Sequence, residues 1–175
     1  MVQPVHIVGY TDKTTQQPID LSTSTEDFAV TLRAIAAFRA GVQPAEVTSD
    51  QIIKTLEEMD HNTDNDGVYE LKDVADYGRH VHNNTCLLAK FEPSGPAPKT
   101  QAGAQQLAQA TYPYVRDLTS LYTTLVNTAV DHVQGTDVVS TNEVGTKIHS
   151  TQTARQAVWD AGIDIIWPGR DLQCR

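Results

Sequence analysis

The chain has 175 residues, enough for one domain of ordinary size or two small lobes, and its 39% hydrophobic content supplies a core. Thirteen basic against twenty-two acidic residues leave a formal charge of −9, and that field repels phosphate backbones and anionic lipid, so nucleic acid is excluded as an expected partner. No apolar run is long enough to span a bilayer, and MVQPVHIVGY has neither a charged n-region nor an adequate h-region, so no membrane insertion is expected.

Residues 2–20 open with a short alternating apolar piece, VHIVGY, and pass into the turn chemistry of TDKTTQQP. An extended arm is expected, packed on the body because Val5, Ile7 and Val8 would otherwise leave apolar area in water. The first helix is expected from about Thr25 to Ala40: Thr23 to Glu26 has capping-box spacing, Phe28, Leu32, Ile35 and Phe38 make one apolar stripe, and Gly41 supplies a left-handed stop. Thr48 to Gln51 repeats the box spacing and starts a second helix with Ile52, Ile53, Leu56 and Met59 inward, ending at Asp60. A third, from about Leu71 to His82, presents Leu71, Val74, Tyr77 and Val81.

Beyond Phe91 the Pro- and Gly-rich stretch EPSGPAPKTQAG reads as a linker over 92–101, dividing an N-terminal arm plus helical lobe (1–91) from a second helical lobe (102–175) that is free to pack with it as one domain. In the second lobe, Gln101 to Thr111 reads as one helix. Pro113 suits the first turn of another, whose spine is Val115, Leu118, Leu121, Tyr122, Leu125, Ala129 and Val133. Short helices follow at 141–148 and from Ser150 or Thr151 through Ala161, and Ile163, Ile165 and Ile166 then require cover. The fold class is all-α, a bundle of about six to seven helices with an extended N-terminal arm.

Between the second and third helices lies NTDNDGVYELKD, an acidic loop with the geometry of a hard-cation site. A divalent cation such as calcium takes six to eight oxygens, and a twelve-residue loop wraps it with side chains at positions one, three, five, nine and twelve and a carbonyl at seven. Counting from Asn62, Asp64 falls at three, Asp66 at five, Gly67 at six where the chain must turn, Val68 at seven, Glu70 at nine and Asp73 at twelve. A register from Asp60 puts Asn65 at the glycine position and Leu71 at the twelfth, and fails on both.

Over about 35 residues this helix, loop and helix resembles an EF-hand, with Asp at twelve as in dockerin-like loops. The resemblance implies Ca2+, with Mg2+ as the alternative hard cation, held by Asn62, Asp64, Asp66, the Val68 carbonyl, Glu70 and Asp73. Asn62 stands where that family usually has Asp, and Asp73 is one methylene shorter than the usual Glu. Residues 132–143 echo the pattern weakly, sharing Asp-His and two Val positions with the first loop, so duplication and chance stand as alternatives. With Gln134, Thr136, Asp137 and Ser140 at its ligand and glycine positions, this second stretch is expected to hold no ion tightly and to serve, if anything, as a silent partner.

Other chemistry is poorly supported. His80 and His82 diverge on one helix, while His61, His132 and His149 meet only if tertiary structure brings them together. Cys86 beside those histidines lacks an oxyanion loop and an orienting third group, Glu57 and Glu58 read as a solvated face, and no phosphate-binding loop occurs. Cys86 and Cys174 allow one disulfide or two free thiols, and Asn83-Asn84-Thr85 is a formal glycosylation acceptor. Abundant Thr and Gln with few Lys lean toward an extracytoplasmic protein. The expected function is a noncatalytic calcium-binding protein whose ion orients helices for a protein partner. With two Met in all, it lacks the Met-rich face of a promiscuous sensor. A helical enzyme braced by calcium and a virion or surface component are the alternatives.

Overall fold

A computed structural model describes residues 3–84, 87–95, 101–139 and 142–168. Cys86, Cys174, Thr85 of the glycosylation pattern, Ser140 and Thr141 lie outside these residues. The chain is mostly helical: α1 (Asp27–Ala40), a 3-10 turn (Pro44–Glu46), α2 (Ser49–His61), α3 (Leu71–Asn83), α4 (Gln101–Gln134) and α5 (Asn142–Asp160), with a short antiparallel pair of β1 (Lys90–Pro93) and β2 (Ile163–Ile166). None of these helices is long and apolar enough to cross a membrane.

Five α-helices therefore stand, among the described residues, where about six to seven were expected. The break expected at Pro113 does not occur: α4 runs through it, although the ring nitrogen cannot donate to the carbonyl four residues back. Burial wins, because Tyr114, Leu118, Leu121, Tyr122 and Leu125 beyond the proline are all fully buried and hold the helix on one course. The break expected near Ser150 is absent too. Ser150 Oγ donates to Asp117 on α4 and Thr151 Oγ1 to the Lys147 carbonyl, so neither hydroxyl caps a new helix.

The local signals at α2 hold as expected. Thr48 Oγ1 accepts from the Gln51 N–H at 3.2 Å and Gln51 Oε1 from the Thr48 N–H at 2.9 Å, a complete capping box. At α1 the expected box is missing, because Glu26 is itself the N-cap and its carboxylate accepts the Tyr10 hydroxyl at 2.6 Å. Gly41 ends α1 in the left-handed region at φ 72°. Glu58, read above as solvated, is buried and ion-paired to Arg39, because that face of α2 turns toward α1.

Among the described residues, Phe28, Leu32, Ile35 and Phe38 of α1 join Leu56, Met59, Tyr77 and Leu118, Leu121, Tyr122, Leu125 and Ala129 of α4 in a single core cluster, whereas Val133, expected on the same spine, is exposed. The arm closes the cluster. Val5, Ile7 and Tyr10 are buried and Leu21 covers the next turn, while Val8 points out at 59% exposure. The paired β1 and β2 bury Ile163, leave Ile165 half-covered and Ile166 on the outside, so the start of the expected linker is strand.

Candidate metal centre

The acidic loop is shaped by the end of α2. Asp60 lies in the last turn of that helix, and its carbonyl accepts from the Thr63 N–H at 3.1 Å and the Asn65 N–H at 2.8 Å, so the chain curls back over the helix end. Asn65 at φ 54° and Gly67 at φ 78° take the left-handed conformations this reversal needs. Asp66 Oδ1 accepts from the Val68 N–H at 3.0 Å, closing a second small turn. Asp60 Oδ2 reaches across to accept from the Gly67 N–H at 3.0 Å. The result brings one carboxylate oxygen each from Asp60, Asp64, Asp66 and Asp73 within 4.8 Å of one another.

Three of the expected ligands, Asp64, Asp66 and Asp73, thus meet, and Asp60 joins them. Asn62 does not face the same way: as C-cap of α2 it donates its side-chain N–H to the Glu58 carbonyl at 2.7 Å, which fastens the amide to the helix. Glu70 is the N-cap of α3 and lies 3.7 Å from Lys72 Nζ, which also sits 3.4 Å from Asp64. Val68 is 43% exposed, its N–H engaged by Asp66. Counting from Asn62 puts Gly67 at a turn the chain makes at φ 78° and Asp73 within the carboxylate group, but leaves out Asp60. The signal for Asp60 was present in the alternation Asp60, Asn62, Asp64, Asp66: where Asn62 lacks a charge, an acid stands two residues earlier.

Electrostatics separate this cluster from an ordinary acidic turn. Asp73 is 2% exposed and neither of its carboxylate oxygens has a hydrogen-bond partner. Asp60 is 4% exposed and its Oδ1 is likewise unpartnered. Burying a carboxylate without a donor is costly, and ionisation is suppressed in response. Burial, then the charges of Asp64, Glu70 and Asp60, push Asp73 up from 3.8 to about 7. Burial and the facing Asp66 and Asp64 carboxylates likewise raise Asp60, against the Gly67 N–H. Asp64 moves the other way: its partial burial is outweighed by hydrogen bonds involving Asp60 and Lys72. A hard cation would supply what Asp60 and Asp73 lack, a positive partner for their unpaired oxygens, and the donor set is all oxygen.

A second group shows the contrast. Glu26, the fully buried His132 and Asp137 also offer ligand atoms within 4.8 Å. Here each carboxylate has its own donor: Tyr10 gives its hydroxyl to Glu26, and His132 Nδ1–H lies 2.9 Å from both Asp137 oxygens. Val139 of this segment pairs with Glu26, and Asp27 N–H donates to the Val138 carbonyl, so residues 132–139 are tied to the start of α1. The backbone edge of the acidic loop is met instead by the arm, through Val8 against Glu70. His80 and His82 are both exposed, and His82 lies against Thr123 rather than a second histidine.

No family model matches the chain, and neither the curated proteins nor the solved structures contain a match.

Proposed function

We propose that the protein is a noncatalytic calcium-binding protein, with an EF-hand-like loop in which Ca2+ joins the end of α2 to the start of α3. Asp60, Asp64, Asp66 and Asp73 would hold the ion, with Glu70 and the Val68 carbonyl completing the shell and Mg2+ the weaker alternative. The observation that carries this reading is Asp73: a buried carboxylate on the third residue of a helix, with both oxygens unpartnered and three further acids around it. When bound, the ion supplies fixed positive charge and a shared coordination centre. The chain's own residues set the angle of α2 to α3 and keep water from the inner carboxylate.

The partner is a protein. A groove of about 550 Å³ adjoins the loop, lined chiefly by Val8, Leu71, Ala75, Ala129, Val130 and Val133, and flanked by Glu70 and Lys72. Val8 and Val133 are 59% and 69% exposed at its edge. Because Leu71 is the first residue of α3, orientation of that helix by the ion sets the shape of the groove.

Calcium at about a hundred times its dissociation constant contributes roughly 2.7 kcal/mol. For a chain of this size that is a rise in melting temperature of about 5–10 °C over the same protein in EDTA. Equal melting curves in the two media, with no heat on titrating CaCl2, would sink the reading.

A pH series adds a second check. Asp73 has its folded value raised to about 7, so binding an ion there releases a proton below that pH and none above it. Calcium affinity should rise roughly tenfold per pH unit from 5 to about 7 and then level off. An affinity that stays flat from pH 5 to 8 would remove Asp73 from the ligand set.

A further inference from the structure

The stretch 69–71 carries more than ligand-bearing residues. Its backbone is a short extended edge, and such an edge leaves N–H and C=O groups to be satisfied by something alongside. Val8 does this on both sides: its N–H donates to the Tyr69 carbonyl at 2.9 Å and its carbonyl accepts from the Leu71 N–H at 2.8 Å. The two bonds straddle Glu70, the N-cap of α3, and Leu71 N–H is one of the orphan donors that every helix start must place. Asp73 sits two residues further on, in the same first turn.

Val8 is held from both directions. Val5 N–H donates to Asp20 Oδ1 at 2.9 Å, Leu21 N–H to the Val5 carbonyl at 2.8 Å, and Ser49 at the start of α2 gives its hydroxyl to the Gln3 carbonyl. After it, Gly9 turns at φ 90°, where a Cβ would meet Leu71 Cβ at 3.4 Å, and Tyr10 is fully buried. The Val8 side chain, by contrast, is largely in water. What this residue gives the loop is its backbone.

We propose that Val8 is a positioning residue for the cation site, locking the first turn of α3 so that Asp73 is presented to the ion, and that arm docking and ion binding are therefore thermodynamically coupled. This rests on the calcium reading above. An ion that orders 70–73 lowers the entropic cost of docking the arm, and a docked arm lowers the cost of ordering the loop, by the same factor in each direction.

The test uses the full chain, titrated with CaCl2 by calorimetry, as Val8→Ala and Val8→Pro. Alanine keeps the N–H and carbonyl and should bind as the unaltered protein does. Proline removes the donor to Tyr69 and should weaken calcium binding by about tenfold or more, within the range of ordinary coupling energies. Amide exchange of the unaltered chain supplies a measurement that needs no variant: calcium should slow exchange at Val8 and Leu71 by a similar factor. Calcium binding with unchanged exchange at both amides, or a folded Val8→Pro chain that binds like Val8→Ala, overturns the coupling and leaves the calcium site standing. An unaltered chain that binds no calcium overturns both.

Discussion

Asp73→Asn should stabilise the protein in EDTA at pH 8, and that advantage should shrink by roughly 2.7 kcal/mol in saturating calcium, because the unaltered chain gains far more from the ion. Asparagine fills the same volume without charge, and its amide can donate to the acids around it. In the metal-free chain the folded Asp73 prefers its proton up to about pH 7, whereas the unfolded chain gives it up near 3.8. The carboxylate therefore costs nothing below pH 3.8, its cost grows as pH rises to about 7, and it stays constant above. At about 1.4 kcal/mol per pH unit of displacement, that is several kcal/mol at pH 8, reduced by whatever the new amide fails to satisfy. With calcium present the variant lacks the most buried ligand, and its affinity should fall by about a hundredfold, a loss of roughly 2.7 kcal/mol at saturating metal for the parent. An acidic turn that takes no ion would leave the gap between the two melting curves the same in both media. A variant less stable in both would mean that the Asp73 carboxylate has a partner inside the protein.

The second large effect is at Gly78, on the face of α3 that meets α4. A Cβ there would lie 2.5 Å from Val126 Cγ2 and 3.3 Å from the Tyr122 carbonyl, the first of which is closer than carbon atoms approach. Glycine thus sets how near the two helices come, and Tyr77 and Tyr122 pack rings 5.9 Å apart beside it. Gly78→Val should cost about 3 kcal/mol by overpacking, or about 6–12 °C in melting temperature. Val126→Ala in the same chain removes the clashing methyl and should recover part of the loss. Additive losses from the two changes would show that the helices are not in contact at that point.

What could be read from the sequence was what is local. The Thr48 to Gln51 box and the Gly41 stop involve residues a few positions apart, and their chemistry is complete within one turn. Asp64, Asp66, Gly67 and Asp73 were legible for the same reason. Asp60 was passed over because a register starting there puts Asn65 at the glycine position and Leu71 at the twelfth, whereas here a residue still inside α2 turns its carboxylate onto the Gly67 N–H without heading a twelve-residue loop. Features made by distant residues were illegible. Lys90 to Pro93 gives no hint that it pairs with Ile163 to Ile166, and Glu58 reads as surface until Arg39 is placed opposite it. Pro113 shows the opposite failure, a strong local signal overruled by a run of buried residues on its far side. The arm was expected to pack, but a hydrophobic pattern could not show that the exposed Val8 would make the loop's backbone contact.

The unbroken course of α4 has a consequence for shape. Thirty-four residues at 1.5 Å rise make a rod of about 51 Å, whereas a compact chain of this length is roughly 40 Å across. The helix is therefore longer than such a body is wide, and near its start Gln105, Gln106 and Gln109 face water while Leu107 and Ala110 pack against the core. The two-stranded ribbon, too small to stand alone, lies against this end of the helix: Pro93 and Ile163 from its strands and Leu107 and Ala110 of α4 line a shared cleft. The ribbon acts as a bracket, holding the chain's last described strand against the start of its longest helix.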